Sequence, residues 1–253
     1  MMVCDPVENG LAQGEVQVGL FDGDLGIAHT PCPRNSVSLG AGGSAIIEAA
    51  DLYGRIQATG TLRGSFALSS KSELYLAIEG VRYDSIIAPI ASSGIGPGYT
   101  NVGASTQVIA SPMWLLAVQG KAVLPTAFTL DRHSWPLAVD AGAVLAWSPA
   151  DRWVVHGSLF GMYGMALGGG PLFPTAGVTL NLGGEWRPTN GFGLVLDART
   201  GFGYTAVVDV VSAGVGVRGA IGPHAGLTLE AVAPLAGAER RLAALDLRFD
   251  WRL

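Results

Sequence analysis

The chain has 253 residues, and its net charge of −5 excludes the basic surface that nucleic-acid binding requires. Its mean hydropathy of +0.39 is high for a soluble protein, but glycine and proline break the uncharged stretches 85–120 and 153–184, so neither predicts a transmembrane helix. An apolar chain with 37 glycines and no helical span favours membrane strands, which need only about 9–11 residues each.

The first 34 residues differ from the rest of the chain. They are polar and irregular, with an acidic cluster at Asp22 and Asp24, and they predict an N-terminal arm or plug; a disordered tail is the alternative. We predict a disulfide between Cys4 and Cys32, worth about 3 kcal/mol by the chain-entropy model if the compartment is oxidising. Two free thiols are the alternative.

Alternation of apolar and polar residues begins at Ser36. Within 52–68, Leu62 and Phe66 fall on one face and Arg63 on the other, as successive side chains of a strand do. Turn residues divide this pattern into twelve predicted strands, at 36–49, 52–68, 73–87, 101–111, 114–127, 137–148, 153–166, 175–187, 193–205, 208–221, 226–236 and 240–253.

The connections between these strands alternate in length. The short ones are 69–72, 111–113, 148–152, 187–191 and 222–225, and the longer ones include 88–100, 128–136 and 167–174. Short turns at one end and longer loops at the other are typical of an outer-membrane barrel. The fold predicted is therefore all-β: a transmembrane antiparallel up-and-down β-barrel of about 12 strands, formed by residues 35–253. An even number of strands places residues 1–34 on the periplasmic side.

The last predicted strand shows most clearly which face is which. From Ala243 onwards, alternate residues are apolar, and the residues between them include Asp246, Arg248, Asp250 and Arg252. In an outer-membrane barrel the apolar face contacts lipid and the charged face lines the lumen. The alternative, a soluble β-protein, would need a partner for the apolar face of every strand.

Assigning the faces of every strand in this way predicts a set of charged lumen residues of both signs. They either cross-link the inner wall or form a constriction that selects solutes by charge and size, and the two roles overlap. Mixed signs argue against strong ion selectivity. The predicted lumen residues are Arg55, Arg63, Glu79, Lys121, Asp140, Glu185, Arg187, Asp197, Arg199, Arg218, Glu230, Asp246 and Arg248.

Aromatic residues cluster beside the short turns. Tryptophan and other aromatic side chains are enriched where a membrane meets water, so the cluster predicts an interfacial girdle. Its predicted members are Trp114, Trp147, Trp153, Trp186, Phe192 and Trp251.

Signals for catalysis are weak. His156 and Ser158 share the inward face of one predicted strand, and a Ser–His pair can act as nucleophile and base. Outer-membrane phospholipases are twelve-stranded barrels with Ser, His and Asn, but their site faces lipid, so we interpret this pair as two polar lumen residues. Gly214, Gly216 and Gly219 match GxGxxG within an alternating strand, where glycine relieves crowding rather than binding a dinucleotide. We predict no catalytic residue, metal or cofactor.

The hairpin repeat, the turn 148–153 and the aromatic last strand resemble Gram-negative outer-membrane β-barrel proteins. More narrowly, the segments 121–126 (KAVLPT) and 230–235 (EAVAPL) resemble transporter-like barrels of the phenol-degradation meta-pathway type. The resemblance implies a bacterial outer-membrane location, with membrane lipid, small solutes and the barrel-assembly machinery as partners and no nucleic acid. Residues 1–5 show no signal peptide, so we expect one to have been removed or left out, or else the barrel prediction is wrong.

We expect a channel or porin-like protein that passes small solutes through the mixed-charge lumen. The alternatives are a non-conducting structural or adhesive barrel that is occluded by its N-terminal arm, and an outer-membrane enzyme that acts on lipid.

Overall fold

The protein is described here by a computed structural model. The described residues are 2–3, 16–17, 33, 35–48, 53–88, 91–126, 135–150, 152–167, 174–189, 191–203, 207–208, 210–222, 224–237 and 241–253, and at some strand ends only the backbone is described. None of the described segments is a helix long and apolar enough to cross a membrane.

Fifteen strands are assigned in the described residues. Two short ones, β1 (Met2–Val3) and β2 (Val16–Gln17), form a separate parallel pair. The others are β3 (Ser36–Glu48), β4 (Tyr53–Ala67), β5 (Ser72–Ala88), β6 (Ser92–Gly96), β7 (Thr100–Ala110), β8 (Trp114–Leu124), β9 (Trp135–Ala150), β10 (Trp153–Leu167), β11 (Pro174–Thr189), β12 (Phe192–Phe202), β13 (Val210–Ala220), β14 (Ala225–Ala236) and β15 (Arg241–Arg252).

These thirteen strands make one antiparallel sheet that closes on itself. β15 pairs with β3, β4 pairs with both β3 and β5, and β6 adds to the end of β5, so twelve strands form the barrel wall. The predicted fold class and strand number are confirmed. β6 was not predicted: it lies in the segment 88–100, which the sequence assigned to a loop.

Serine side chains shape the short turns. Ser69 Oγ accepts hydrogen bonds from the backbone N–H groups of Lys71 and Ser72, both at 3.1 Å, in the turn between β4 and β5. Ser111 Oγ accepts one from Trp114 N at 3.0 Å between β7 and β8. Such bonds let the chain reverse within a few residues, and they begin the next strand at the predicted place.

Alternation fixes the two faces of the wall. In β12, Leu194 and Leu196 are 39% and 66% exposed, whereas the alternating residues Val195 and Asp197 are 1% and 7% exposed. The outward residues are apolar along most of the barrel, so lipid is the solvent that suits this face.

A bulge in β5 changes which residues face inward. Gly60 pairs with Val81 and Thr61 pairs with Glu79, so Gly80 is an extra residue on β5. A one-residue shift moves every following side chain to the other face. Arg82 and Asp84 are consequently buried, while Val81 is 56% exposed on the outside.

The aromatic side chains near the short turns lie on the outer face. Trp114 and Trp147 stack with ring centroids 5.1 Å apart, and the rings of Trp153 and Trp186 are 6.5 Å apart. Phe192 and Trp251 are also outward and exposed.

Exposed aromatic residues also lie on the outer face near the opposite ends of the strands, away from the short turns. Tyr163 lies ten residues beyond Trp153 in β10, and Phe202 lies ten residues beyond Phe192 in β12. At about 3.3 Å per residue and a tilt of about 40°, the band between these aromatic residues is about 25 Å tall, the height of a membrane barrel's apolar band.

The predicted N-terminal arm falls mostly outside the described residues, apart from β1, β2 and Pro33. Cys4 and Cys32 are not among the described residues. The structure gives the disulfide between them no support, and it stays a prediction.

Candidate functional site

Most predicted lumen residues lie on the inner wall. Those that are buried there are Arg63, Glu185, Arg187, Asp197, Arg218, Glu230 and Arg248. Those that are half-buried are Glu79, Lys121, Asp140, Arg199 and Asp246. The side chain of Arg55 lies outside the described part of the chain.

Glu185 is the centre of the most deeply buried cluster. Its side chain is fully buried, and Arg187, two residues along β11, donates to Oε1 from Nε at 2.8 Å and to Oε2 from Nη2 at 3.0 Å. Arg218 on β13 also donates to Oε2, from Nη1 at 3.0 Å, and His156 Nε2 on β10 lies 3.4 Å from the same oxygen. One carboxylate therefore contacts three other side chains, and the four residues of the cluster come from three strands.

A second cluster lies on β12 and β14. Arg199 donates from Nε to Asp197 Oδ2 at 2.7 Å, and its Nη2 donates to Glu230 Oε1. Arg199 and Glu230 stand on strands separated by β13. This pair and the Glu185–Arg218 pair each cross an intervening strand. They cross-link the inner wall, because a hydrogen bond between charged groups is stronger in a buried setting than in water.

Two further polar clusters lie elsewhere on the inner wall. Arg248 on β15 donates to Asp250 Oδ1 at 2.8 Å and to Ser38 Oγ on β3 at 3.0 Å, so it ties the last barrel strand to the first. Lys121 on β8 lies 3.0 Å from Asp140 on β9, and its side chain is 30% exposed.

Glycines make room for these side chains. A Cβ added at Gly214 would overlap Asp197 and come 2.7 Å from Glu230 Oε1, and one at Gly193 would come 2.6 Å from Glu185 Oε1. This confirms the interpretation of Gly214 in the GxGxxG pattern as a wall glycine, since its missing side chain is what lets two carboxylates approach each other.

A recess opens on the inner wall between β3 and β4. Its volume is about 50 Å³, and a single water needs about 10–15 Å³ on the same measure. The residues that line it are Ser38, Gly40, Ala41, Gly42, Thr59, Thr61, Arg63 and Arg248. Arg63 is itself seated on the ring of Tyr75, 4.2 Å from its centroid.

The predicted set of lumen residues lacks the charged residues beyond the β5 bulge. Arg82 lies 3.6 Å from Glu79, and its guanidinium carbon is 5.0 Å from the centroid of the Tyr99 ring. Glu79 Oε2 accepts a hydrogen bond from Tyr99 N at 2.9 Å, and Asp84 is fully buried nearby on the same face of β5. The signal in the sequence is the change of phase across Gly80: the outward apolar residues are even-numbered before it and odd-numbered after it.

The Ser–His pair does not form a catalytic arrangement. Ser158 Oγ accepts a hydrogen bond from Asn181 Nδ2 at 3.1 Å, whereas His156 Nε2 faces Glu185 Oε2 at 3.4 Å and makes no hydrogen bond to Ser158. Both side chains are buried inside the barrel rather than facing lipid. Within the described residues, no group of three or more His, Cys, Asp and Glu could hold a metal ion.

No protein-family profile matches the chain, and no curated protein matches it. Solved structures do. An outer membrane channel from Pseudomonas putida F1 has a TM-score of 0.70 at 13% identity, with 92% of this chain and 100% of that chain covered. The translocator domain of the autotransporter NalP from Neisseria meningitidis has a TM-score of 0.56 at 10% identity, covering 93% of this chain and 91% of that chain.

The KdgM porin, solved in complex with disordered oligogalacturonate, has a TM-score of 0.53 at 10% identity and covers 85% of this chain and 99% of that chain. Identities this low show a common fold and no more. The predicted resemblance to outer-membrane β-barrels is confirmed at the level of fold: the chain is built as a twelve-stranded barrel of the kind found in bacterial outer-membrane channels.

Proposed function

We propose that the protein is a porin-like channel of a bacterial outer membrane, which passes small solutes through a mixed-charge lumen. The observation that carries the proposal is a closed wall with an apolar outer face and charged residues on its inner face. A buried charge on the lipid side would cost about 2–4 kcal/mol at the membrane midplane, so this arrangement suits only a barrel with lipid outside and polar contents inside.

The structural neighbours support the same conclusion. One is a bacterial outer membrane channel and another is a porin, and each is covered over at least 99% of its length. In this location we also propose membrane lipid and the barrel-assembly machinery as partners. The narrower resemblance to transporter-like barrels of the phenol-degradation type stays a prediction.

The inner wall favours weak ion selectivity. Its arginines stand beside carboxylates, as Arg187 does beside Glu185 and Arg199 beside Asp197. Fields of opposite sign cancel over a few ångströms, so neither cations nor anions meet one strong barrier.

Planar-bilayer recording of the full chain, refolded in detergent, tests the proposal. We expect stepwise conductance in KCl and a reversal potential close to zero across a KCl gradient. Protein boiled before reconstitution is the control and should give no steps. Folded protein that inserts into vesicles but gives no conductance would contradict the proposal.

The burial of small inner-wall side chains favours one second candidate, a non-conducting barrel. Ala117, Val144 and Ala146 are completely buried, yet they point into the barrel. In a barrel of about eight strands, side chains alone can fill the interior. In a wider barrel, another segment must lie inside to cover residues as small as these. The predicted covering segment is residues 1–34, and most of them are not among the described residues. A heat-stable barrel without conductance is the result that this candidate expects.

An enzyme acting on lipid is the weakest alternative. We propose that Ser158 and His156 have structural roles, because Ser158 is engaged by Asn181 and the pair is buried. A lipase assay on vesicles should give the same background for the wild type, Ser158→Ala and His156→Ala. Hydrolysis that disappears in both variants would revive the enzyme hypothesis.

A further inference from the structure

Two carboxylates meet across a glycine on the inner wall. Asp197 on β12 stands opposite Gly214 on β13, and Glu230 on β14 stands opposite Gly216, the next inward residue of β13. A Cβ added at Gly214 would overlap Asp197 Oδ1 and lie 2.7 Å from Glu230 Oε1. Both oxygens therefore border the space of one missing methyl group, and no side chain of β13 separates them.

The pair is also shielded from water. The side chains of Asp197 and Glu230 are 1% and 3% exposed. Two ionised carboxylates in such close contact repel each other, and burial removes the water that would weaken the repulsion. Both can stay ionised only if enough positive charge lies beside them.

Arg199 supplies one positive charge to the pair. It donates from Nε to Asp197 Oδ2 at 2.7 Å and from Nη2 to Glu230 Oε1. Within the described part of the chain, no second arginine or lysine is bonded to either carboxylate. Asp197 Oδ1, the oxygen that faces Glu230, is buried and has no hydrogen-bond partner among the described atoms. Protonation of either carboxyl group supplies the donor that this oxygen lacks.

The charges on the surrounding strands leave one carboxylate in excess. The inward-facing charged and titratable side chains described on β10 to β15 are the carboxylates Glu185, Asp197, Glu230, Asp246 and Asp250, the arginines Arg187, Arg199, Arg218 and Arg248, and His156. His156 faces Glu185, whereas Asp246 stands directly opposite Glu230, so the excess negative charge lies beside the pair. One proton on the pair makes the numbers of negative and positive groups equal.

From this geometry we propose that Asp197 and Glu230 share one proton, held between Asp197 Oδ1 and the Glu230 carboxyl group, and release it to lumen water when the pH rises. The shared proton links β12 to β14 by a hydrogen bond, in addition to Arg199. Its loss leaves two negative charges in contact, weakens this cross-link and adds one negative charge to the inner wall. The pair is thus a pH-sensitive element of the barrel, which goes beyond the proposed channel function.

Infrared spectroscopy of the refolded chain detects the proton directly. A protonated carboxyl group has a C=O stretch that an ionised carboxylate lacks. We expect this band in the wild type at neutral pH, its loss at alkaline pH, and its absence from Asp197→Asn and Glu230→Gln. Asp140→Asn is the matched control and should keep the band, because Asp140 pairs with Lys121 at 3.0 Å. A wild type without the band at neutral pH, or a band that survives in both variants of the pair, would overturn the proposal.

The pH dependence of stability is a second readout. The carboxyl groups of an unfolded chain lose their protons near about pH 4, so a proton kept by the folded state makes stability fall as pH rises above that value, until the shared proton is lost. We expect the temperature at which the folded band disappears on an SDS gel to follow this course in the wild type and in Asp140→Asn.

Glu230→Gln replaces the shared proton with an amide N–H that is not released. Its stability should change less with pH and exceed that of the wild type at alkaline pH, whereas a merely structural role would lower stability equally at every pH. If this variant does not fold, Asp197→Asn takes its place with the same expectation. Parallel curves for the wild type and the variant would contradict the shared proton.

A metal ion is the alternative occupant, although no described group of three or more acidic, histidine or cysteine residues could hold one. EDTA separates the two cases, since it removes a metal ion and leaves a proton in place. We expect the same pH dependence with and without EDTA. A pH dependence that EDTA abolishes would overturn the shared proton in favour of a metal ion.

Ion selectivity gives a readout in the conducting channel. At alkaline pH the reversal potential across a KCl gradient should shift toward cation preference in the wild type and not in Glu230→Gln, because only the wild type gains a negative charge on its inner wall. If the barrel does not conduct but the infrared band is present and disappears at alkaline pH, the shared proton stands and only the channel proposal fails.

Discussion

Glu185 and Arg218 bond to each other across an intervening strand. Their Oε2 and Nη1 atoms are 3.0 Å apart, although β12 lies between β11 and β13. The bond passes over Gly193, which pairs with Arg218 and whose absent side chain leaves the space that Glu185 occupies. A charged contact in the lumen is thus made possible by a glycine in the wall.

A side chain at Gly193 should therefore weaken the barrel. In Gly193→Ala the new Cβ would be 2.6 Å from Glu185 Oε1, so the carboxylate must move and its bonds with the two arginines must lengthen. We expect a loss of about 1–3 kcal/mol, as for other overpacked sites, measured as a lower temperature for loss of the folded band. Gly219→Ala is the control, because a Cβ there meets nothing within 4 Å. Equal behaviour of the two variants would contradict the crowding argument.

Removing the Glu185 charge should cost more than removing the carboxylate of a pair whose partner reaches solvent. Glu185→Gln leaves Arg187 and Arg218 without their shared carboxylate in a buried site, which costs about 3–5 kcal/mol. Asp140→Asn breaks the pair with Lys121, whose side chain is 30% exposed, and should cost only about 0–1 kcal/mol. Urea titration of both variants in detergent, followed by tryptophan fluorescence, measures the difference. A larger loss in Asp140→Asn would show that the buried cluster is not the main cross-link.

The bulge at Gly80 should be essential for assembly. Deleting Gly80 restores simple alternation along β5 and turns Arg82 and Asp84 toward lipid, where each Arg costs about 2–4 kcal/mol near the midplane. We expect no folded band for this deletion on an unboiled gel. Deleting Ser70, in the exposed turn before β5, leaves the bulge in place and should still allow a folded band. Normal folding of the Gly80 deletion would refute the assignment of Arg82 to the lumen.

If the aromatic residues beside the short turns form the predicted girdle, these turns lie where the membrane meets water. Trp114 and Trp147 stack on the outer face, so their fluorescence should be quenched by lipids brominated near the headgroup more strongly than by lipids brominated at the chain end. A variant in which Trp135, Trp153, Trp186 and Trp251 are replaced by Phe isolates this pair. Strong quenching by aqueous iodide instead of brominated lipid would place the pair outside the membrane.

The period of two was enough to predict the twelve strands of the barrel wall and the faces of most of them. The strongest case is β15, because a strand with Asp246 and Arg248 on one side and Leu245 and Leu247 on the other has only one stable orientation in a membrane. Ser69 and Ser111 marked short turns for a local reason, their hydrogen bonds to the following backbone.

The inner contacts could not be predicted in the same way. Sequence places Arg218 on a strand next to that of Glu230, but Arg218 bonds to Glu185 two strands away, and Arg199 bonds to Glu230. Such partners depend on strand register and on the width of the lumen, which no local pattern records. The bulge at Gly80 was missed because one phase was assumed along the whole of 73–87.

The central claim is that the chain forms a closed barrel with its apolar face toward lipid. Heat-modifiability tests it most directly: the full chain, refolded in detergent, is run unboiled and boiled on an SDS gel. We predict a faster band in the unboiled sample that converts on boiling to the position expected for 26.0 kDa, because a closed sheet without free edges resists SDS. No change on boiling, in a protein that is soluble and monomeric without detergent, would contradict the account and require a water-facing outer surface.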